Sequence, residues 1–330
     1  MADGASTPLR LVGDIGGTNA RFALAEPTSG RPRLTGFKNL RCEDYPSMEE
    51  AIAAYFAGQP SELRPSTAVI AVAGPVTDGA ISFTNLGWRV SEAELRRSLG
   101  FQSATLINDY AALALAAPVL GPEDAHQIGP VVDGRPDANV AMIGAGTGFG
   151  ASALVRDGFS EAVLTSEGGH AGFAPTDALE AEIWRILSLR FGRVSVERIL
   201  SGPGLLNLYG AVVELEGVQP RGASPDAVSR LADEGDALAL RTVQLFCDIL
   251  GSVAGDFALT YGAQGGVFIA GGVAPNLMAH LERSDFRRRF EAKGRFESYL
   301  RAIPSAVVTQ PHAALFGTAR ATTRAGQGAR

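Results

Sequence analysis

Hydrophobic and polar positions along this chain alternate between strand-like and helix-like periods, and one strand-like pattern occurs twice. Segments 11–26 and 141–155 each contain a short apolar run, a glycine- and threonine-containing turn and an alternating apolar run, which predicts a β-hairpin. An unbroken offset of 130 residues aligns Gly16 with Gly146. The same offset aligns Asp14 with Gly144, Ala23 with Ala153 and Leu24 with Leu154. The repeat predicts a duplicated domain.

Strands and helices alternate through the rest of the first half. Periodicity, glycine and proline stops and helix-capping residues predict this order of elements. The predicted strands are 34–40, 67–74, 81–88 and 104–109, and the predicted helices are 47–58, 92–100 (capped by Ser91) and 110–118. Because polar and glycine residues end these strands, the pattern is typical of an open α/β sheet that binds a ligand at its strand ends.

The second half begins near Asn139 and repeats the opening hairpin. The pattern then predicts a helix at 177–192, capped by Thr176 or Asp177, a long helix at 237–262 and an apolar strand within 265–277. We therefore expect two α/β domains. The predicted small domain is 1–118 plus about 311–330, and the predicted large domain is 119–310.

Composition narrows the class of protein. The 330 residues are 46% hydrophobic and 19% charged, which is ordinary for a globular protein of two domains. No apolar run approaches the roughly 18 to 20 residues that span a bilayer, and segment 1–10 lacks the apolar core of a secretory signal. With a net charge of −6 and one basic run at 283–290, nucleic acid is a poor partner. We expect a cytoplasmic protein.

The scarcity of cysteine and lysine excludes several kinds of site. Cys42 and Cys247 lie far apart, which does not support a cysteine-based zinc site or a disulfide framework. The only lysines are Lys38 and Lys293, and neither adjoins a glycine loop. Because the Walker loop and the protein-kinase fold both place a lysine on the phosphates, ATP would have to be held here by backbone N–H groups and a metal ion.

The turn of the first hairpin has the chemistry of a phosphate loop. Gly16 and Gly17 let the backbone approach phosphate oxygens, Thr18 and Asn19 offer donors, and Asp14 is placed to hold a magnesium ion through water. An ordinary glycine turn between two strands is the alternative. The second copy of the turn favours the phosphate loop.

The second turn permits another interpretation. Gly146, Gly148 and Ala151 fit a dinucleotide-binding fingerprint, with Glu167 at about the required distance beyond them. That motif requires a helix directly after the glycines. The residues that follow, 150–155, predict a strand instead. A second phosphate loop at 146–148 is therefore the favoured interpretation.

Polar residues at other predicted strand and helix ends are candidates for catalysis and sugar binding. Asp109 follows a strand, where a carboxylate can accept the proton of an attacking hydroxyl, although a helix N-cap is the alternative. Glu167 and His170 flank two glycines that would aim both side chains at one polar ligand, and a structural histidine is the alternative. Glu197 by itself is typical of a solvated helix charge.

The motifs in combination resemble one known family. GDIGGTNARFAL, INDYAAL, GAGTGFG, EGGHAGFAP, VERILSGPGLLNLY, LFCDILG and GGVFIAGG, spread from Leu11 to Ala319, are similar to those of bacterial glucokinases, within the superfamily of hexokinase, actin and chaperone ATPases. The resemblance implies an α/β, two-lobed, duplicated ribonuclease H-like (actin-like ATPase) fold with an interlobe active-site cleft. It also implies a cytoplasmic homodimer that transfers phosphate from ATP, with Mg²⁺, to the 6-hydroxyl of D-glucose, giving glucose 6-phosphate and ADP in the first step of glycolysis.

The same resemblance implies roles for individual residues. Asp109 matches the catalytic base and also contacts the sugar. The other matched glucose ligands are Asn108, Glu167, His170 and Glu197. The matched ATP-binding residues are Ile15, Gly16, Gly17, Thr18, Asn19 and Ala20 in the first loop, Gly146, Thr147 and Gly148 in the second, and Gly271 and Gly272 near adenosine.

Three alternatives stay open at the level of sequence. Segment 171–184 lacks the cysteine-rich zinc motif of the larger repressor and kinase family with this fold, and no helix-turn-helix pattern precedes Leu11, which favours the zinc-free glucokinase branch over a repressor. A kinase for another hexose, or one that uses polyphosphate, is the first alternative. A non-catalytic sugar or ATP sensor is the second, and a phosphatase or acyl-phosphate kinase is the third.

Overall fold

The computed structural model describes residues 9–26, 28, 30–60, 63–83 and 86–322. Its contacts divide the chain into two compact units. Unit 1 holds the described residues up to Gly121 and from Gln310 onward, and unit 2 spans Pro122–Thr309. The predictions that concern segment 1–8, namely that it contains neither a secretory signal nor a helix-turn-helix, lie outside the described residues.

Unit 1 is built on a mixed sheet of the strands β1 (Arg10–Ile15), β2 (Asn19–Glu26), β3 (Arg33–Arg41), β4 (Thr67–Val72) and β7 (Ser103–Asn108). They lie in the order β3-β2-β1-β4-β7. β1 pairs antiparallel with β2, β2 antiparallel with β3, and β1-β4-β7 run parallel. The central strands β1 and β4 are almost wholly buried, because helices cover both faces of the sheet.

The helices of unit 1 begin where the sequence predicts. Side chains of Ser47 and Ser91 accept hydrogen bonds from the backbone of the first turns of α1 and α2, which satisfies donors that a helix start leaves open. The helices are α1 (Met48–Ala57), α2 (Glu92–Leu99), α3 (Asp109–Ala116) and α12 (Ala313–Arg320). α12 packs tightly on α3, with Gly317 against the backbone of Ala112.

The predicted single strand at 81–88 is wrong. Two short strands, β5 (Ala80–Ser82) and β6 (Arg89–Ser91), pair antiparallel as a small separate hairpin. The chain reverses within the apolar run, because the Phe83 N–H donates to the Trp88 carbonyl at 2.8 Å. The two aromatic rings then pack edge to face, with centroids 6.2 Å apart.

The sheet of unit 2 contains the strands β8 (Ala125–Gln127), β9 (Val140–Ala145), β10 (Phe149–Arg156), β11 (Glu161–Ser166), β12 (Gly266–Ala270) and β13 (Ser305–Val308). Their order, β11-β10-β9-β12-β13-β8, repeats the topology of the first sheet and adds one strand. The pairings β9-β10 and β10-β11 are antiparallel, and β9-β12-β13 are parallel, as in unit 1. The predicted duplicated α/β architecture is confirmed.

The two copies of the hairpin differ by one residue at the turn. In unit 1 Ile15 pairs with Ala20, whereas in unit 2 Ala145 pairs with Phe149. The offset of 130 therefore holds for β1 and β9 and becomes 129 for β2 and β10. The predicted alignment of Ala23 with Ala153 and of Leu24 with Leu154 is wrong, because the register places Ala23 opposite the equivalent of Ser152 and Leu24 opposite that of Ala153.

Helices of unit 2 surround a large apolar core. The helices are α4 (Ala178–Phe191), α5 (Gly202–Leu215), α6 (Pro225–Asp233), α7 (Ala237–Tyr261), α8 (Val273–Asn276), α9 (Met278–Arg283), α10 (Phe286–Glu291) and α11 (Glu297–Arg301). Asp177, and not Thr176, caps α4. The fully buried carboxylate of Glu180 in α4 forms an ion pair with Arg289 of α10.

By length and composition alone, one helix among the described residues, α7, could cross a membrane. This helix is not among the apolar runs recognised in the sequence. About two thirds of its most apolar window, 67%, is buried within the protein. Its residues Phe246, Leu250 and Ala254 belong to the core of unit 2. Burial of this kind is typical of the central helix of a globular domain.

Candidate active site

The first glycine loop connects β1 to β2 in unit 1. Gly16 N–H donates to the Asn19 carbonyl at 2.9 Å, and this bond closes the turn. Cys42 supports the loop from outside, because its N–H donates to the Thr18 carbonyl at 2.8 Å and its Sγ lies 3.6 Å from the Gly16 carbonyl. Gly17 has open space where a side chain would stand. The tip of the loop is therefore accessible to a ligand while its base is held in place.

Asp14 lies just before this loop, directly opposite Arg21 in the register of β1 and β2. Arg21 Nη1 donates to Asp14 Oδ2 at 3.1 Å. Burial raises the pKa of the Asp14 carboxyl, and the charge and hydrogen bond of Arg21 oppose that shift. Since a buried carboxylate is costly without enough positive charge nearby, the site fits a divalent cation that is held by one carboxylate and completed by water and phosphate oxygens.

His312 belongs to the same neighbourhood, although the sequence analysis did not single it out. Its charge interacts with those of Asp14 and Arg21, and burial lowers its pKa. The ring packs against Phe37 at a tilt of 39° with centroids 4.0 Å apart, and its buried Nδ1 has no hydrogen-bond partner. No local signal could have found it, because its position depends on the chain returning to unit 1 after Thr309.

Asn108 and Asp109 end β7 and begin α3, at the same sheet edge as Asp14. The structure assigns the N-cap to Asn108, whose Oδ1 accepts from the N–H groups of Tyr110 and Ala111 at 3.0 and 3.2 Å. Its Nδ2 donates to the Gly74 carbonyl at 3.2 Å. The interpretation of Asp109 as the N-cap is therefore wrong.

The environment of Asp109 gives its carboxyl unusual basicity. Burial raises its pKa to about 6, and the negative charge of Asp14 adds to the shift. A hydrogen bond from the Tyr110 N–H to Asp109 Oδ1, 2.9 Å long, acts in the opposite direction. A carboxyl of this pKa is mostly ionised at neutral pH and is a much stronger base than an exposed aspartate, which suits it to accept a proton from a hydroxyl.

The second glycine loop, 146–148, connects β9 to β10 in unit 2. Gly146 N–H donates to the Gly148 carbonyl at 2.8 Å. The Gly202 N–H donates to the Gly146 carbonyl at 2.8 Å, and the Phe149 N–H donates to Glu197 Oε2 at 2.9 Å. Because a strand and not a helix follows the glycines, the dinucleotide-binding interpretation is wrong.

A short 3₁₀ turn, Gly168–His170, follows β11; Glu167 directly precedes this turn and His170 ends it. Both side chains are exposed, while Gly169 is buried against β10. A Cβ at Gly169 would lie 2.1 Å from the Phe149 carbonyl oxygen, so the backbone can adopt this position only as glycine. The Ser166 hydroxyl accepts from the Gly168 N–H at 3.2 Å and holds the start of the turn.

Glu197 lies beside this turn. It belongs to a second 3₁₀ turn, Val196–Arg198, and the Val196 N–H donates to the Ala171 carbonyl at 2.9 Å. Arg193 Nη1 donates to the His170 carbonyl at 2.7 Å. These bonds bring Glu167, His170 and Glu197 onto adjoining segments. Glu197 is therefore not the solvated helix charge that its local sequence suggests.

Gly271 and Gly272 follow β12 and stand next to the end of β9. Gly271 has a φ of +85°, and a Cβ there would lie 2.3 Å from the Ala145 carbonyl oxygen. Both the backbone conformation and the close packing therefore require glycine at this position. Since Ala145 directly precedes the second loop, the paired glycines lie beside that loop. Gly272 has open space around it.

No group of three or more metal-ligating side chains is present among the described residues. Both cysteines, Cys42 and Cys247, are free and buried. A cation at Asp14 would thus depend on its other ligands coming from the substrate and water, which is the usual coordination of Mg²⁺ at a nucleotide site.

Comparisons with known proteins agree on one family. The sequence model of the family described as Glucokinase matches residues 11–325. The glucokinase of Caulobacter sp. (strain K31) is 50% identical over 324 residues, which cover 98% of this chain and 98% of that protein. The crystal structure of a glucokinase from an Antarctic psychrotroph superposes with a TM-score of 0.88 at 38% identity, over 95% of this chain and 98% of that one.

A more distant structure shares the fold. A ROK family glucokinase from Streptomyces griseus, crystallised with glucose and AMPPNP, superposes with a TM-score of 0.61 at 19% identity, over 94% of this chain and 98% of that one. The actin-like ATPase fold expected from the sequence motifs is confirmed by these neighbours together with the repeated sheet topology.

Proposed function

The chain belongs to the glucokinase family, and from that premise we propose how its own residues carry out the reaction. It catalyses the ATP-dependent phosphorylation of glucose to glucose 6-phosphate and ADP, the first step of glycolysis. The enzyme has to activate one sugar hydroxyl, stabilise the charge on the transferred phosphoryl group and position both substrates.

Asp109 is the general base, and the raised pKa of its carboxyl is the observation that carries this assignment. Burial raises that pKa to about 6, while Asn108 takes over the capping of α3 and leaves the Asp109 carboxylate available to the substrate. Asp109 accepts the proton from the 6-hydroxyl as the hydroxyl oxygen attacks the γ-phosphorus of ATP. Asn108 fixes the start of α3 and so holds the base in position.

The two glycine loops bind the phosphates of ATP through backbone N–H groups. Residues 15–20 form the first phosphate site, and residues 146–148 form the second. Gly271 and Gly272 line the path of the adenosine. Asp14 would hold Mg²⁺, directly or through water, and the cation would supply positive charge for the phosphate oxygens. Arg21 opposes the rise in the pKa of Asp14 that burial causes.

Glucose is bound by carboxylate, amide and imidazole groups. Asn108, Asp109, Glu167, His170 and Glu197 are the proposed ligands. Carboxylates accept hydrogen bonds from sugar hydroxyls, and the exposed Glu167 and His170 side chains are free to do so at the surface of the Gly168–His170 turn. We also propose that the enzyme works in the cytoplasm as a homodimer.

An assay of ADP release tests the proposal. The purified enzyme is supplied with each member of a hexose panel, with ATP or polyphosphate as the phosphoryl donor and with Mg²⁺ present. The proposal expects the highest kcat/KM for glucose with ATP. Turnover that is higher with another hexose, or with polyphosphate, would reassign the substrate, and the absence of any turnover would indicate a sensor.

A further inference from the structure

Glu197 touches the second phosphate loop as well as the proposed sugar site. Its Oε2 accepts a hydrogen bond from the Phe149 N–H at 2.9 Å, at the first residue after the loop. The contact is close: a Cβ at Gly148 would lie 2.5 Å from the same oxygen. No hydrogen bond to Oε1 of Glu197 is found among the described residues, so that oxygen is open to a ligand.

The segment that carries Glu197 holds the loop at both ends. The Gly202 N–H donates to the carbonyl of Gly146, the first residue of the loop, at 2.8 Å, while Glu197 accepts from Phe149, the first residue after it. Ser201 ties this segment together, because its hydroxyl donates to the Glu197 carbonyl at 2.8 Å and accepts from the Gly204 N–H at 2.9 Å as the N-cap of α5. A shift of the Glu197 carboxylate therefore reaches the loop directly.

Glu167 offers a direct contrast. It has the same side chain and the same proposed partner, glucose, but none of the hydrogen bonds of its carboxylate within the described part of the chain reaches the loop. It is held instead through its backbone, since the His170 N–H donates to the Glu167 carbonyl at 3.0 Å. The two glutamates thus differ in their contact with the phosphate loop, and Glu197 is also the more buried of the two.

We propose that Glu197 is a positioning residue that couples sugar binding to the conformation of the second phosphate loop. Its Oε2 fixes the loop through Phe149, and its Oε1 accepts from a sugar hydroxyl. Occupation of Oε1 by sugar limits the rotation of the carboxylate and so orders the loop that receives the nucleotide. This inference rests on the proposed function of Glu197 as a glucose ligand.

Binding of ADP without sugar tests the loop side of the coupling. Glu197→Ala should weaken ADP binding about 10-fold in isothermal titration, because a charge-assisted hydrogen bond to the loop is lost. Glu197→Gln keeps a carbonyl oxygen that accepts from Phe149, so its ADP affinity should stay within about 2-fold of the native value. Glu167→Ala is the matched control and should leave sugar-free ADP binding unchanged.

Binding of glucose without nucleotide tests the sugar side. Gly148→Ala introduces a Cβ that displaces the Glu197 carboxylate, so glucose affinity should fall about 10-fold although Gly148 is not a sugar ligand. Gly146→Ala lies in the same loop with nothing within 4 Å of the added Cβ, and it should leave glucose affinity unchanged. Neither glycine has a positive φ, so alanine suits both backbones.

The outcomes separate the coupling from the proposed function. Native-like ADP binding by Glu197→Ala, or unchanged glucose binding by Gly148→Ala, overturns the coupling. A loss in Glu197→Ala that Glu197→Gln shares equally also overturns it, because the glutamine keeps the acceptor. If the native enzyme binds no glucose, the proposed function fails, and the sugar-free ADP comparison still decides the role of Glu197. Thermal unfolding of each variant shows that it is folded.

Discussion

Gly317 of α12 lies so close to Ala112 of α3 that a Cβ built on Gly317 would stand 1.7 Å from the Ala112 carbonyl oxygen. Because the near atom is backbone, the helices themselves would have to separate to admit a methyl group. α3 begins at Asp109, so this contact also fixes the helix that carries the proposed base.

Gly317→Ala should therefore reduce both stability and activity. The substitution favours helix formation locally by about 1 kcal/mol, but overpacking against a backbone carbonyl costs about 1 to 3 kcal/mol or more. Gly210→Ala in α5 is the control, because its Cβ would meet only the flexible end of Arg190, at 3.2 Å. Urea unfolding should show a loss for Gly317→Ala and no loss for Gly210→Ala. Equal effects would contradict the close contact.

Replacing the proposed base should abolish activity and stabilise the protein. Asp109→Asn should lower kcat about 100- to 10,000-fold, the usual contribution of a general base. Near-normal turnover would remove Asp109 from the mechanism. The acid limb of kcat/KM in the native enzyme should lie near pH 6, since protonation of Asp109 in the free enzyme below that pH removes the base.

Asp109 supports activity, but its ionised carboxylate lowers the free energy of unfolding. Folding raises the pKa of this carboxyl, so the folded state binds the proton more tightly, and ionisation above about pH 6 destabilises the fold. Asp109→Asn should thus raise the free energy of unfolding at pH 7 by about 1 to 3 kcal/mol. The gain should shrink as the pH falls from 6 toward 4. Unfolding in urea at pH 5 and pH 7 measures it, and a constant difference would argue against the raised pKa.

Asp14 should control the metal requirement. Asp14→Asn removes the carboxylate that we propose to hold Mg²⁺, so the free Mg²⁺ needed for half-maximal activity should rise about 10- to 100-fold. Asp44→Asn, at an exposed position on the turn that follows β3, is the control and should leave the Mg²⁺ requirement unchanged. Activity is titrated against free Mg²⁺ at fixed ATP. An unaltered Mg²⁺ curve for Asp14→Asn would place the metal elsewhere.

The buried ion pair between Glu180 and Arg289 should contribute far more to stability than a surface pair on the same helix. Glu180→Gln leaves the largely buried Arg289 charge with only the partly exposed Asp177, 3.3 Å away, as a counter-charge, which costs up to about 3 to 5 kcal/mol. Glu182→Gln removes an exposed pair with Arg185 and should cost below about 1 kcal/mol. Denaturant unfolding of both variants provides the comparison, and similar losses would mean that Glu180 is not truly buried.

The two thiols should be unreactive in the folded protein. Burial raises the pKa of both Cys42 and Cys247, so little thiolate exists at neutral pH. A thiol-reactive chromogenic disulfide should titrate no cysteine in the native state and two in guanidinium chloride. Rapid modification of Cys42 in native protein would instead show that the first phosphate loop, which its N–H supports, opens readily.

Local signals in the sequence predicted most of the fold. Ser91 and Asp177 cap helices where expected, since the capping side chain and the apolar period both lie within a few residues of the helix start. The hairpin β5-β6 was not predicted, because the hydrophobic pattern of the sequence continues where the chain reverses direction between Phe83 and Trp88. A glycine-rich turn likewise has no hydrophobic periodicity, so the sequence pattern does not reveal that the second loop is one residue shorter than the first.

The candidate site was only partly predictable. Glycine loops and strand-end carboxylates are local patterns, and Glu167 and His170 could be found as a pair because two glycines separate them. The neighbourhood of His312 and Asp14 arises from residues almost three hundred positions apart in the chain. The bond between Glu197 and Phe149 joins segments that the motifs treat separately. Such contacts depend on tertiary packing, which one sequence does not encode locally.

Each hairpin turn joins two residues that lie directly opposite each other, Ile15 with Ala20 and Ala145 with Phe149, although the second turn is one residue shorter. Because an opposed pair closes the ladder in both copies, the shorter turn changes the numbering of the strand that follows and not the face to which its side chains point. Leu24 and Ala153 therefore occupy equivalent places in the two sheets. As far as sheet register is concerned, each turn is an interchangeable module that can replace the other as a whole.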